Sequence, residues 1–419
     1  MPSAEQIMMV AIPPFFVLMA VELVAARLMR RRVYRLNDAI NSIGLGTFSQ
    51  IVGVFTKLLT IGVYAWVVEH VALFALPADS VWVWISGLLL YDFCYYWLHR
   101  YGHEVGVLWA AHAVHHQSER YNLATALRQT SSGALLGWVS YLPMAVLGYP
   151  VEVFAVVAVI DLIYQYWIHT ELVPKLGWFD RVFASPSNHR VHHAVNDRYL
   201  DRNYGGLLML WDRMFGTFIE EDPAEPPVFG TRAPLRSWNP LWANVEVYWV
   251  LANDARHARR WRDELRVWIA RPGWRPADVA ERFPKPAFDI ARVEYDPPLP
   301  PPMRLYCLLH FLLLMALGVD FLGSASTLNA AATAMYAGFL MSGLMSLGFL
   351  LEGRAWALAI EVPRLLWLAV WPMLTARWPG HDRFAMNLRE VFMALGVLSL
   401  PAVIWAWRST TVLQARAAH

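Results

Sequence analysis

Nine of the chain's 14 histidines fall between positions 99 and 193, where a share proportional to length would be about three. His99 and His103 are four residues apart. His112, His115 and His116 form a second group, and His189, His192 and His193 repeat its spacing. Residues three and four apart share a helix face, so each group is expected to project its imidazoles together. His169 stands alone at the end of an apolar run. Neutral imidazole is the commonest protein metal ligand and suits iron, copper, nickel and zinc. One ion cannot use nine nitrogens, whereas two ions with four or five each can. The nine are therefore candidate ligands of a di-metal centre. His70, His257, His310, His381 and His419 lie outside the groups and are read as non-ligands.

Composition puts this centre in a membrane protein. Charged residues are 16%, against about 25% in typical globular domains. Hydrophobic residues are 57%, and the 21 Trp suit interfacial aromatic belts. Apolar segments run over 7–28, 43–76, 81–98, 134–147, 151–168, 305–322, 331–351, 355–374 and 391–407. The expectation is an all-α, polytopic integral membrane helical bundle of nine crossings. In it, 43–76 is one tilted span plus an interfacial piece, and 134–168 is a hairpin that crosses or only dips in. The first run lacks a basic leader, so no cleavable signal peptide is expected. Arg27, Arg30, Arg31, Arg32 and Arg35 follow it, which by the positive-inside rule makes that end, and with it the histidine centre, cytoplasmic. Arg408 and Arg416 then end the chain in the cytoplasm, while Arg377, Arg383 and Arg389 fall outside, against the same rule.

Four regions are expected: an N-terminal transmembrane region (1–90), a catalytic region with the three histidine groups (91–218), an Arg/Pro-rich cytoplasmic segment (219–302) ending in Pro297, Pro298, Pro300, Pro301 and Pro302, and a C-terminal transmembrane bundle (303–419). Within the third, 240–269 carries Trp242, Val245, Trp249, Ala252 and Trp261, then Arg256, Arg259, Arg260, Arg262 and Arg266. That pattern fits a helix on the membrane surface and equally a solvated helix packed on the protein. A net charge of +2, with no basic run interleaved with aromatics, excludes a nucleic-acid partner. Cys94 and Cys307 lie in apolar runs and imply neither a disulfide framework nor a cysteine metal site.

Two cations held by neutral nitrogens need carboxylates near them. Candidates are Asp92, Glu104, Glu119, Asp161, Asp197 and Asp201. Asp92, two helical turns before His99, is the first choice, with Glu104 and Asp197 beside it. Soluble di-iron bundles use Glu-x-x-His, which does not occur here. Arg128, Asn122 and Trp109 are substrate or cofactor candidates. The polar run 125–132 binds a lipid head group or a pterin, or only caps the next helix through Ser131 and Ser132. The sequence NYGG (203–206) reads as a turn. Phe93, Trp97, Leu108, Trp109, Tyr164 and Trp167 are expected to wall an apolar slot above the metals.

A His-x-x-x-His motif followed by two His-x-x-His-His boxes on a polytopic chain resembles the fatty acid hydroxylase/sterol desaturase superfamily. The runs GHEV (102–105), LWAAHAVHH (108–116), YNLATALRQ (121–129), IHTE (168–171), SPSNHRVHH (185–193), NYGG (203–206) and WDRMFGT (211–217) are most similar to its alkylglycerol monooxygenase family. The resemblance implies two iron ions, O2 as co-substrate and oxygen insertion into an aliphatic C–H bond of a membrane lipid. In the ether-cleaving family the carbon beside the ether oxygen is hydroxylated, and the hemiacetal falls apart to a fatty aldehyde and glycerol. Tetrahydrobiopterin supplies electrons there; other members use a b-type cytochrome or ferredoxin. The chain carries no pterin fingerprint, no Cys-x-x-Cys-His and no Gly-x-Gly-x-x-Gly, so its electron donor is expected to be external. A desaturase or hydroxylase of sterols, carotenoids or fatty acids shares the same boxes. A zinc hydrolase needs about three ligands, and a metal transporter binds near the bilayer midplane; both fit nine histidines at span ends less well.

Overall fold

The computed structural model describes residues 4–375, 378 and 387–417. His381, His419, Arg377 and Arg383 lie outside the described residues, as do the side chains of Arg389 and Arg416. The regular elements are helical: α1 (Ala4–Leu28), α2 (Leu36–His70), α3 (Val81–Glu104), α4 (Gly106–Ala110), α5 (Ala113–His116), α6 (Leu123–Ala126), α7 (Gly133–Gly137), α8 (Leu142–Val146), α9 (Val151–Trp167), α10 (Phe179–Val182), α11 (Pro186–His192), α12 (Leu210–Met214), α13 (Pro240–His257), α14 (Trp261–Ile269), α15 (Ala277–Arg282), α16 (Pro301–Ser324), α17 (Ala330–Leu351), α18 (Leu358–Thr375) and α19 (Asn387–Ala417). Extended pairing occurs as isolated bridges, Phe183 with Leu208 and Ala194 with Phe229.

Two compact units emerge. One takes in residues up to 42 with 55–235 and 244–293; the other takes in 43–54, 236–243 and 294 onward. In the first, α3 packs along α9 through Tyr91, Cys94, Val153 and Val157, with Tyr141, Met144 and Ala145 beside them. Gly87 lets the two helices approach: a Cβ there would stand 3.0 Å from Val153. This packing fixes α3, whose last turn carries His99 and His103. In the second unit α16 to α19 bury Leu314, Leu340, Leu347, Leu365 and Val403. Gly343 and Gly396 allow close contact there, since a Cβ would fall 2.7 Å from Leu314 and 2.6 Å from the Ala369 nitrogen, the small-residue device of membrane helix pairs.

Five helical stretches among the described residues are long and apolar enough to cross a bilayer: Leu36–Thr56, Val81–Glu104, Pro301–Ser324, Ala330–Leu351 and Glu390–Gln414. Three of the expected segments take a more specific form. The 43–76 stretch falls largely in α2, one unbroken helix of 35 residues, about 50 Å long, of which Leu36–Thr56 is the span candidate and the rest continues beyond it. The segment 134–147 is broken into α7, a 3-10 turn (Trp138–Tyr141) and α8, with Pro143 in the first turn of α8. Its partner α9 has 17 residues, about 25 Å, against a hydrocarbon core of about 30 Å.

Candidate metal centre

Short helices with specific caps aim the imidazoles. Ser185 precedes Pro186, which opens α11 with a ready-made φ, and the Ser185 hydroxyl accepts from the Asn188 nitrogen at 3.4 Å. Asn122 caps α6: its Oδ1 accepts from the Ala124 nitrogen at 3.0 Å, and Thr125 Oγ1 accepts from the Asn122 nitrogen at 3.4 Å. Ser131 and Ser132 do not cap by side chain; Ser132 instead accepts from the Tyr248 hydroxyl at 2.8 Å.

The nine histidines form two sets. His99, His103, His112, His116 and His192 make one, His115, His169, His189 and His193 the other, with ligand nitrogens within 4.8 Å of one another in each. The sequence expectation that each group projects together is corrected here. Residues four apart stay together, as in 99/103, 112/116 and 189/193, while His115 and His192 cross to the opposite set. Each helical step turns about 100°, so His115 faces well away from its neighbour His116.

The geometry fits metal binding. His99, His115, His169 and His192 each turn Nδ1 to a backbone carbonyl, of Tyr204 (2.8 Å), Arg128 (2.9 Å), Gln165 (2.7 Å) and Arg202 (3.0 Å). That bond fixes the proton on Nδ1 and leaves a lone pair on Nε2. In the five-histidine set the buried Nε2 atoms of His99, His103 and His192 meet no protein partner, a cost of about 1–3 kcal/mol apiece if nothing bound there. Elsewhere Nε2 faces Nε2, His112 to His116 at 3.0 Å, His169 to His115 at 3.2 Å, His189 to His169 at 3.0 Å and His193 to His189 at 3.2 Å. Ligand bonds of about 2.1 Å at right angles place two nitrogens about 3.0 Å apart. Burial holds His112, His116, His169, His189, His192 and His193 well below the ordinary imidazole range and takes His115 down to about 4, with repulsion between neighbouring rings adding to it in each. These seven rings are neutral at physiological pH, the form that binds metal. Both clusters are consistent with a metal centre.

Backbone carbonyls, more than carboxylates, orient these rings. Asp201 and Asn203 both adopt φ of 57°, a left-handed conformation that Asp and Asn tolerate better than most residues. The turn presents the Arg202 carbonyl to His192 and the Tyr204 carbonyl to His99. Asn203 locks it, donating to the carbonyls of Asn188 (3.1 Å) and Ile219 (2.8 Å) and accepting from the Ile219 nitrogen (2.9 Å). Asp92 touches no imidazole; its carboxylate accepts from the Leu207 and Leu208 nitrogens and Trp211 Nε1, and so anchors the segment that holds His99. Asp212 does the same for the Tyr204 and Gly205 nitrogens, and burial raises it to about 6. Asp161 binds Gln165 Nε2, whose backbone carbonyl receives His169. Asp201 is the acid beside a ring, 3.7 Å from His103 Nδ1. Glu104 pairs with Arg100 and Arg271, Glu119 with Arg292, and Asp197 is 92% exposed and pairs with Arg232.

Arg128 is buried inside the protein, donating to the Val114 carbonyl, Asn41, Ser42 and Gln117, while its own carbonyl holds His115. Burial lowers its pKa to about 10. Asn122, besides its cap, donates to the Val33 carbonyl at 2.7 Å. Trp109 lies against the rings of His103, His112 and His116. Of the other expected wall residues, Phe93 and Trp97 pack on Phe215, and Tyr164 and Trp167 pack together near Phe179 and Ala184. Two contributors, Asp212 and Glu22, are not among the acids the sequence suggests. Glu22 of α1 is buried and accepts from Thr170 Oγ1, the Tyr34 hydroxyl and the Leu123 nitrogen, so it steadies the residue after His169. An acid inside the first apolar run was the available signal.

The profile of the fatty acid hydroxylase family matches residues 84–217, and that of the alkylglycerol monooxygenase C-terminal domain matches residues 303–375. An alkylglycerol monooxygenase of Xenopus tropicalis is 36% identical over 354 residues, 84% of this chain and 79% of that protein. The chain belongs to the alkylglycerol monooxygenase family. The Homo sapiens alkylglycerol monooxygenase is 34% identical over 84% of this chain and 80% of its own length. An ornithine lipid hydroxylase of Rhizobium tropici is 31% identical over 34% of the chain and 43% of that protein. No solved structure matches. Family and helices together make the protein an integral membrane, oxygen-dependent lipid monooxygenase.

Proposed function

We propose that the nine imidazoles hold two iron ions, the five-histidine set one and the four-histidine set the other, and that the site hydroxylates the carbon beside the ether oxygen of an alkylglycerol lipid. The observation that carries this reading is the five-and-four convergence of imidazole nitrogens, eight of the nine residues buried. Nitrogen-ligated iron supplies the activation of O2. One O2, two electrons and two protons convert the C–H bond to C–OH and release water; the hemiacetal carbon then sheds the glycerol oxygen, giving fatty aldehyde and glycerol. The protein's own share is to bury the rings, to fix Nδ1–H of His99, His115, His169 and His192 on carbonyls so that Nε2 is free, and to keep bulk water from the site. Trp109, against three rings of the five-histidine set, is the side chain placed to meet an alkyl chain. The electrons come from tetrahydrobiopterin or an external redox protein, since the chain carries no motif for a nucleotide or haem. The arginines between 27 and 35 support a cytoplasmic active site. Residues 91–218 are the catalytic region, flanked by the N-terminal transmembrane region (1–90), the cytoplasmic segment (219–302) and the C-terminal bundle (303–419).

The test is O2 consumption by the anaerobically reduced iron protein with ether-lipid, fatty-acid and sterol panels, with products identified by mass spectrometry. Aldehyde and glycerol from the ether lipid alone support the reading. An alkene product, or turnover of sterols in preference, contradicts it.

A further inference from the structure

We propose that α14 is an interfacial anchor, its outward apolar stripe lying in the surface of the lipid bilayer beside the metal centre. Trp261, Leu265 and Ile269 stand four residues apart, so they share one face, and they are 65%, 61% and 68% exposed. The opposite face packs on the protein: Val267 is buried with Ala110, Leu251 and Ala255. The stripe is therefore not core turned outward by a short helix, but a second apolar face.

Its flanks are cationic. The stretch 259–271 holds Arg259, Arg260, Arg262, Arg266 and Arg271 against Asp263 and Glu264; Arg271 also pairs with Glu104. Arg262 lies over the Trp261 ring, with the guanidinium carbon 5.6 Å from its centre, and Arg266 lies over Trp274 at 4.4 Å. Apolar stripe, tryptophan at the edge and arginines alongside are the elements of a helix in the headgroup layer, where the cations meet lipid phosphates.

The position within the fold is the independent observation. The Gly106 nitrogen donates to the Ala270 carbonyl at 2.9 Å, and a Cβ on Gly106 would stand 2.9 Å from the Val267 carbonyl oxygen and 3.2 Å from that of Trp268. The α14 backbone thus abuts the start of α4, two residues after α3 ends at Glu104. Because α3 is long and apolar enough to cross the bilayer, its end marks the depth at which chain leaves the membrane. A helix fixed there, with a bare apolar stripe, is at the height of the interface. The same α4 carries Trp109 onto His103, His112 and His116, so the anchor is one short helix from the five-histidine set. It holds the centre where a lipid reaches it without crossing water.

The experiment places a nitroxide at Leu265→Cys, and separately at Glu264→Cys, in the full-length protein in phospholipid nanodiscs; Cys94 and Cys307 are buried. The label at 265 is expected to be relaxed by O2 and shielded from an aqueous nickel chelate, at a depth of about 5–10 Å below the headgroups, with the label at 264 nearer water. A second label at Ile269→Cys is expected to share the depth of 265. If 265 and 269 are as open to the chelate as 264, α14 faces water or awaits a protein partner, and the proposal fails. The measurement reads position and not turnover, so it is decided separately from the substrate proposed above.

Discussion

Each unit of the protein buries histidine among polar side chains, and the two cases are built to opposite ends. In the C-terminal bundle His310 has both nitrogens engaged, accepting at Nδ1 from Arg364 at 3.0 Å and meeting Ser399 Oγ at Nε2 at 3.0 Å. Arg364 is charge-balanced by Glu361, to which the Tyr306 hydroxyl also donates. In the other unit His99 and His192 satisfy Nδ1 on carbonyls and leave Nε2 bare. A buried imidazole with two ordinary partners is a structural part. Several with one partner each, pointing their lone pairs at a common place, are ligands in waiting for a cation.

The comparison breaks first at the histidines. His116→Ala or His193→Ala is expected to abolish turnover and empty at least one iron position, while His310→Ala keeps full iron; metal analysis beside an O2 assay reads both. Equal iron loss in all three variants would erase the distinction. Next in size is the ion pair. Arg364→Met leaves Glu361 buried without its partner, so a loss of about 3–5 kcal/mol is expected in thermal unfolding, with iron per folded protein unchanged. Adding Glu361→Leu to it is expected to restore most of that loss. Asp92→Asn keeps the shape but weakens three bonds to the segment holding His99; iron affinity should fall about 10–100-fold, read by chelator competition. The smallest effect is on the substrate. Each methylene removed from the alkyl chain is expected to lower kcat/KM up to about fourfold, from about 0.8 kcal/mol of buried CH2. Short, water-soluble ethers turned over as efficiently as long ones would show that no apolar slot holds the tail.

The nine histidines and the helical membrane character were legible because spacing and composition carry them directly. Two ions with four or five nitrogens each follow from the count, but not which histidine joins which set, although the 100° helical step contains it: His115 and His116 are neighbours in sequence and belong to different sets. What orients the rings was hidden for a deeper reason. The partners are main-chain carbonyls of Gln165, Arg202 and Tyr204, and a carbonyl is present at every residue, so no residue type announces it. The residues NYGG announce a turn; its hold on the rings depends on Asn203 in the left-handed region and on Gly205 and Gly206, where a Cβ would meet the Leu208 carbonyl oxygen at 2.5 Å and Tyr95 at 2.8 Å. Asp92, the first choice for a carboxylate beside the rings, instead accepts from the segment that holds His99. Arg128, a candidate for substrate or cofactor, directs its guanidinium to Val114, Asn41, Ser42 and Gln117, and its carbonyl orients His115.

The most direct measurement is metal per chain in the purified protein, set beside the same measurement on His189→Ala. Two irons in the parent, one for each imidazole set, and one retained in the variant are the predicted result. Zinc in place of iron, or one metal per chain in both proteins, would contradict a di-iron centre split five and four.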